Sequence, residues 1–152
     1  MKLKLFFHYI SYLQYPLILI GLFYAFKPHF DGTKYTKENV DLAFQNINTV
    51  FIFIGLALSF STLQDTTKTQ NKLSRKIWEH PVKGKIALVI MSIVTFTLIV
   101  SGIVGYTKTG VSKLKDVSMG VIVLGVGYLG LLKAAIEMFE NHRKDKNNID
   151  SL

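Results

Sequence analysis

The sequence predicts an all-α integral membrane protein with four transmembrane helices in an antiparallel bundle. Three observations carry this expectation. Nearly half of the 152 residues are apolar, and they lie in long blocks rather than at the helix or strand spacing of a soluble domain. Four of these blocks have about the 20 residues that a helix needs to cross a roughly 30 Å hydrocarbon core. The charged residues gather between the blocks and at the chain ends. Four spans within residues 1–140 leave too little chain for a separate soluble domain.

The first span is read at Leu5–Phe26. Met1-Lys2-Leu3-Lys4 and the apolar run behind it have the outline of a secretory signal. The run is too long for that, contains His8, Gln14 and Pro16, and is not followed by an A-x-A site, so it is read as a retained span. Tyr9, Tyr12 and Tyr15 share one helical stripe and suit the aromatic belt of a membrane interface. Pro16 lacks a backbone donor and predicts a kink. Pro28, Asp31 and Gly32 mark the turn of a short loop from Lys27 to Asn39.

The second span is read at Val40–Leu63, with a polar start at Asp41, Gln45, Asn46 and Asn48 and an apolar centre. Nothing in the sequence breaks this helix before Pro81, so an extension beyond the membrane is expected. Residues 64–85 form the most basic segment: Lys68, Lys72, Arg75, Lys76, Lys83 and Lys85 oppose Asp65 and Glu79. Leu73, Ile77 and Trp78 fall on one side, which fits a basic helix lying on the membrane surface and ended by His80-Pro81. The third span, Ile86–Tyr106, holds no charge. Gly110 turns the next loop. The fourth span, residues 117–136, is continuously apolar to Leu132, then meets Lys133 and continues to Phe139. Residues 141–152 read as a flexible charged tail.

Orientation follows from the connectors. With four spans, the N-terminus, the 64–85 connector and the tail share a side, and that side holds twelve of the eighteen Lys and Arg residues. Both termini are therefore expected in the cytoplasm, in a plasma membrane of the bacterial inner-membrane type.

Close backbone approach matters in lipid, where water drives no helix association. Each span carries a small-xxx-small pair: Gly21/Ala25, Gly55/Ser59, Ser101/Gly105 and Gly130/Ala134. The fourth adds Gly120, Gly125 and Gly127. These faces predict packing within one chain, and the glycine-rich fourth span also suggests contact between copies in a homo-oligomer.

Several chemistries are excluded or disfavoured. Without cysteine there is no disulfide, thiolate metal site or thiol nucleophile. The net charge of +8 is spread over connectors that meet anionic lipid, and no nucleic-acid recognition motif is present, so no nucleic-acid partner is expected. His8 and His29 bracket the first span about 30 Å apart, and His80 and His142 lie in the connector and tail, so no haem is expected. A surface metal site from His8, His80 and His142 is set below solvated histidines. Neither metal nor cofactor is assigned. No carboxylate sits at the centre of a span, which weakens proton-coupled transport. Catalytic motifs such as G-x-S-x-G, H-E-x-x-H and the P-loop are missing, so no catalytic residue is named. The Arg- and Glu-rich helix motifs of the small eicosanoid and glutathione membrane enzymes are missing too.

Two polar groups remain as candidates. Asp65, Lys133 and Glu137 mark a network at the inner mouth, against ordinary interfacial ion pairing. Asn46 and Thr49, with Gln45 and Asn48, mark a vestibule or an interhelical hydrogen bond in the outer half of the second span. Ser92, Thr95, Thr97 and Ser101 are expected to bond to their own helix. The leading expectation is an oligomeric channel, pore or transport component. The alternative is a non-conducting membrane subunit that docks a cytoplasmic protein through Lys68, Lys72, Arg75, Lys76 and Trp78. An intramembrane enzyme is a third reading.

Overall fold

The computed structural model describes residues 2–30, 40–67, 72–108, 110 and 112–145. Among these the regular structure is all helical, with no strand. The helices are α1 (Lys2–Ser11), α2 (Gln14–Phe30), α3 (Val40–Ser61), α4 (Lys72–Trp78), α5 (Pro81–Lys108) and α6 (Ser112–His142). Four segments are long and apolar enough to cross a membrane: Leu5–Phe30, Val40–Ser61, Pro81–Lys108 and Leu114–His142.

Pro16 acts where the sequence predicts, but the result is sharper than a kink. Its ring displaces the carbonyl four residues back, that of Tyr12. The chain then tightens into three-residue steps, with Tyr12 N–H donating to Tyr9 O at 3.1 Å and Tyr15 N–H to Tyr12 O at 3.1 Å. The apolar run is therefore two helices, α1 and α2. Pro28, expected in a loop, lies inside α2, which runs on to Phe30.

The other helix ends also differ from expectation, for local reasons. Helix α3 stops at Ser61 instead of extending beyond the membrane. There Ser61 and Thr62 donate their hydroxyls to Leu58 O and Ser59 O, both at 2.7 Å, in competition with the helix ladder. Helix α5 begins at Pro81, five residues before Ile86. Pro81 holds the first helical position and His80 caps it, its Nδ1 accepting from Lys83 N–H at 3.5 Å. Lys83 and Lys85 thus lie in the first turns of α5. Helix α6 runs on through Glu140 to His142.

Helix α6 sits at the centre, packed on α3 along one side and on α5 along the other, while α2 packs on the far side of α3. Contacts between α3 and α6 ascend together: Asn48 with Gly120, Gly55 with Gly127, Thr62 with Gly130. The closest pair therefore runs in the same direction. Contacts between α5 and α6 run oppositely, from Gly84 with Phe139 to Gly105 with Ser118.

The interior is made of small residues and the exterior of large ones. Ala57, Ala135 and Phe139 are the buried hydrophobic residues. Leu19, Val89, Ile93 and Phe96 are all more than half exposed. Such inverted burial is foreign to a water-soluble surface and suits surroundings of lipid.

Candidate functional site

The glycines named from the sequence for helix packing all face other parts of the same chain. At Gly55 an added Cβ would lie 2.7 Å from Val123 O and 2.8 Å from Leu124 Cα. At Gly127 it would run into the carbonyl oxygen of Gly55, with Gly55 Cα at 3.0 Å. Gly120 faces Asn48, Gly130 faces Thr62, Gly21 faces Ile54 and Gly105 faces Ser118. Gly125 meets Ile99 on α5. Gly120, Gly125 and Gly127 of α6 are thus enclosed by α3 and α5, while Gly130 meets Thr62 and is half-buried. Gly84 and Gly102 pack as tightly, against Phe139 and Ile122, and were not singled out as packing sites from the sequence. Gly84 escaped notice because it lies before the expected start of its span.

At the end of the molecule that carries the start of α3, Asn48 and not Asn46 makes the interhelical bond. Its Oδ1 accepts from Gly120 N–H at 2.8 Å. Asn46 is half-buried, and Thr49 donates its hydroxyl to Gln45 O at 2.8 Å within its own helix. Thr49, Asn48, Tyr106 and Lys115 border a cavity of about 520 Å³. Lys115 Nζ lies 4.7 Å from the Tyr106 ring centre, a cation–π contact. Ser92, Thr95 and Ser101 bond to carbonyls of their own helix at 2.8, 2.8 and 3.1 Å.

At the opposite end, Lys133 Nζ and Glu137 Oε1 pair at 2.6 Å and Thr66 Oγ1 approaches Glu137 Oε2 at 3.5 Å. Lys133 and Glu137 border a lateral groove with Ser59, Thr62 and Gly130. Asp65 faces elsewhere. Its Oδ1 accepts from Thr67 N–H at 3.0 Å and Thr67 Oγ1 at 2.7 Å, and it borders a separate cavity of about 430 Å³. The three groups share an end of the molecule but not a surface. The stripe of α6 that carries Ala134, Ala135 and Met138 faces the cavity, and Lys133 and Glu137 lie on the neighbouring stripe.

The basic segment is built as a platform. Helix α4 packs on α5 and α6. Trp78 borders the 430 Å³ cavity, and Ser74 Oγ lies 3.6 Å from Met138 Sδ. Trp78 thus turns toward the chain itself, while Lys72 and Lys76 are exposed. Arg75 is tied into a clamp. It pairs with Glu79, which also receives Lys144 Nζ at 2.8 Å, while Lys144 N–H donates to Glu79 O at 3.2 Å. The aromatic ring of Phe139 lies across Gly84 and joins α5 to α6 beneath the clamp. Among the described residues, Lys72, Lys76, Lys83 and Lys85 form no ion pair. Lys68 lies outside the described residues, as does the tail from Lys146.

Lys144 and Arg75 together hold the Glu79 carboxyl far below its usual value, at about 2. A depressed carboxyl stabilises the clamp fully above the ordinary glutamate range, and that contribution is lost progressively as pH falls from there through about 2. Tryptic cleavage after Arg143 and Lys144 is therefore expected to be slow at neutral pH. Glu79→Gln should accelerate it at neutral pH. Equal cleavage of the two proteins would mean that the clamp does not hold the tail.

Among the described residues no three His, Asp or Glu side chains converge to hold a metal ion. His142 instead places Nδ1 2.9 Å from Met138 O, and His8 lies against Tyr12 with ring centres 5.3 Å apart. Comparison with protein-family models, curated proteins and solved structures finds no match.

Proposed function

We propose that this chain is a non-conducting membrane subunit that docks a soluble cytoplasmic protein on its α4 platform. In this reading the four long helices cross the bilayer as an antiparallel bundle in which successive spans alternate in direction. The N-terminus, α4 and the tail lie in the cytoplasm. The observation that carries the docking reading is the orientation of α4. Its Trp78 and Ser74 side turns to the chain's own helices, and its Lys72 and Lys76 side points away from them. A helix anchored in lipid would leave its apolar side uncovered by protein. The four lysines outside ion pairs favour a partner with an acidic surface, and such attraction weakens with salt.

The sequence holds no cysteine, so a single introduced one is unique. A photo-crosslinker on Lys76→Cys, irradiated in native membranes, is expected to capture one discrete soluble protein. The same reagent on Gly110→Cys, at the other end, should not. Adding Lys72→Glu or raising the salt should abolish the adduct. Identical adducts from both positions, or lipid adducts alone, would refute the docking reading.

The oligomeric channel or transport component remains a second reading, favoured by the polar-edged cavities at both ends. Between them the α3–α6 backbone contact at Gly55 and Gly127 closes the chain, so a pathway would need further subunits. Ion flux in liposomes that vanishes with Asn48→Leu would favour this reading over docking.

A further inference from the structure

We infer that the lateral groove beside Lys133 and Glu137 holds one phospholipid with a zwitterionic, primary-amine head group, phosphatidylethanolamine. The inference rests on the bilayer reading of the four spans and is independent of docking on α4.

The groove arises because α3 ends before α6 does. Asn48 meets Gly120 at a sequence separation of 72, and Gly55 meets Gly127 at the same separation. Ser61, the last residue of α3, is thereby level with Lys133 to within a turn. Beyond that level α6 runs on to His142, and Gly130 has no side chain to fill the space beside Thr62. The result is a lateral cavity of about 740 Å³. That volume lies within the range of small-molecule sites, about 300–1,000 Å³.

Two features of the lining select the occupant. The first is an apolar wall. Leu129 and Val126 lie one and two turns below Lys133 on α6 and are 51% and 55% exposed. Two turns are about 11 Å, most of one leaflet of a roughly 30 Å hydrocarbon core. Ser59 Oγ donates to Gly55 O at 3.0 Å and Thr62 Oγ1 to Ser59 O at 2.7 Å, so both hydroxyls are spent on their own chain. Such a wall suits an acyl chain.

The second feature is the charge at the mouth. The charged side chains of the described lining are Lys133 and Glu137, one of each sign in a chain of net charge +8. They pair at 2.6 Å, and their side chains are 78% and 46% exposed. An ammonium has three donors and a carboxylate two acceptor oxygens, so each keeps capacity for a ligand after pairing. A lipid phosphate accepts from Lys133 while the ethanolamine ammonium donates to Glu137. Phosphatidylglycerol would bring its phosphate beside Glu137 without a cation to offset it. The quaternary ammonium of phosphatidylcholine has no N–H to donate. Both therefore form fewer charge-assisted hydrogen bonds at this mouth.

The test compares a reporter in the groove with one facing bulk lipid. Trp78→Phe removes the single tryptophan of the chain. In that background Val126→Trp reports from the groove. Phe96→Trp reports from α5, where Phe96 is 71% exposed and lies at a similar depth, since Ile99 faces Gly125. The full-length protein is placed in vesicles with a minor fraction of dibrominated phosphatidylethanolamine, phosphatidylcholine or phosphatidylglycerol, which quench indole fluorescence on contact. Val126→Trp is expected to be quenched at about tenfold lower mole fraction by the ethanolamine lipid than by the other two. Phe96→Trp should be quenched equally by all three. Adding Glu137→Gln should erase the advantage over phosphatidylcholine, and adding Lys133→Gln should weaken both lipids. Lys115→Gln, at the opposite end, should change nothing. Equal quenching of Val126→Trp by the three lipids would overturn the inference, as would an ethanolamine preference that survives Glu137→Gln. Quenching of neither reporter by any lipid would instead remove the bilayer reading beneath it. Native mass spectrometry of the unaltered protein with an equimolar mixture of the three lipids repeats the comparison without substitutions. One retained phosphatidylethanolamine is expected, and equal retention of all three would overturn the inference even if a reporter variant failed to fold.

Discussion

Gly127→Ala is expected to destabilise the protein by about 2–3 kcal/mol, although alanine is the better helix former. Exchanging glycine for alanine within a helix normally gains about 1 kcal/mol. At Gly127 the added methyl would enter the carbonyl oxygen of Gly55, with its carbonyl carbon and Cα at 3.0 Å. These are backbone atoms and have no rotamer to yield. Helices α3 and α6 would have to separate, which would also strain the Asn48–Gly120 bond one helical stretch away. Gly21→Ala is the matched control. Its methyl would meet the Ile54 Cδ1 tip at 3.1 Å, and that tip can rotate away. Unfolding in mixed micelles of increasing SDS fraction, followed by helical circular dichroism, measures both. A Gly127→Ala protein as stable as the Gly21→Ala protein would show that the α3–α6 contact is not as close as described.

Phe139→Ala is the second large effect, at about 3 kcal/mol. Phe139 is 4% exposed, the largest of the three buried hydrophobic residues among those described, and its ring covers Gly84 at the start of α5. It also lies 5.7 Å from the Arg143 guanidinium, so its loss loosens both the α5–α6 joint and the approach to the clamp. Gly84→Ala should destabilise as well, because the new methyl would enter the ring. The two sites are in contact, so the combination Gly84→Ala with Phe139→Leu should cost about 1 kcal/mol less than the sum of the single changes. Strict additivity would show that the ring does not rest on Gly84. The Trp78 emission should shift to the red in Phe139→Ala as water reaches the platform's underside.

Much of the candidate site was legible at the level of residue type and much less at the level of contact. The polar start of α3 pointed to an interhelical hydrogen bond, but Asn46 and Asn48 are two residues apart and their azimuths differ by about 200°. Only the rotation of α3 against α6 selects Asn48. The basic segment was equally visible, with Leu73, Ile77 and Trp78 on one side. Whether such a stripe meets lipid or protein depends on whether other helices reach it, and Trp78 borders a cavity that residues of α5 and α6 also line. Asp65, Lys133 and Glu137 were grouped because all three lie near one membrane face. Depth along a helix follows from residue number, whereas facing depends on how each helix is turned.

The amino-acid order by itself determined four apolar segments long enough to cross a membrane, because hydropathy is a local sum over consecutive residues. It also located the break caused by Pro16, since a missing donor and a ring clash act within four residues. The tertiary structure alone decided that α3 and α6 form the closest pair, and that Gly120, Gly125 and Gly127 of α6 meet α3 and α5. It also decided that Glu79 ties Lys144 to α4. Those outcomes depend on the relative rotation and rise of helices far apart in the chain, and a pattern read along one helix at a time carries no information about either.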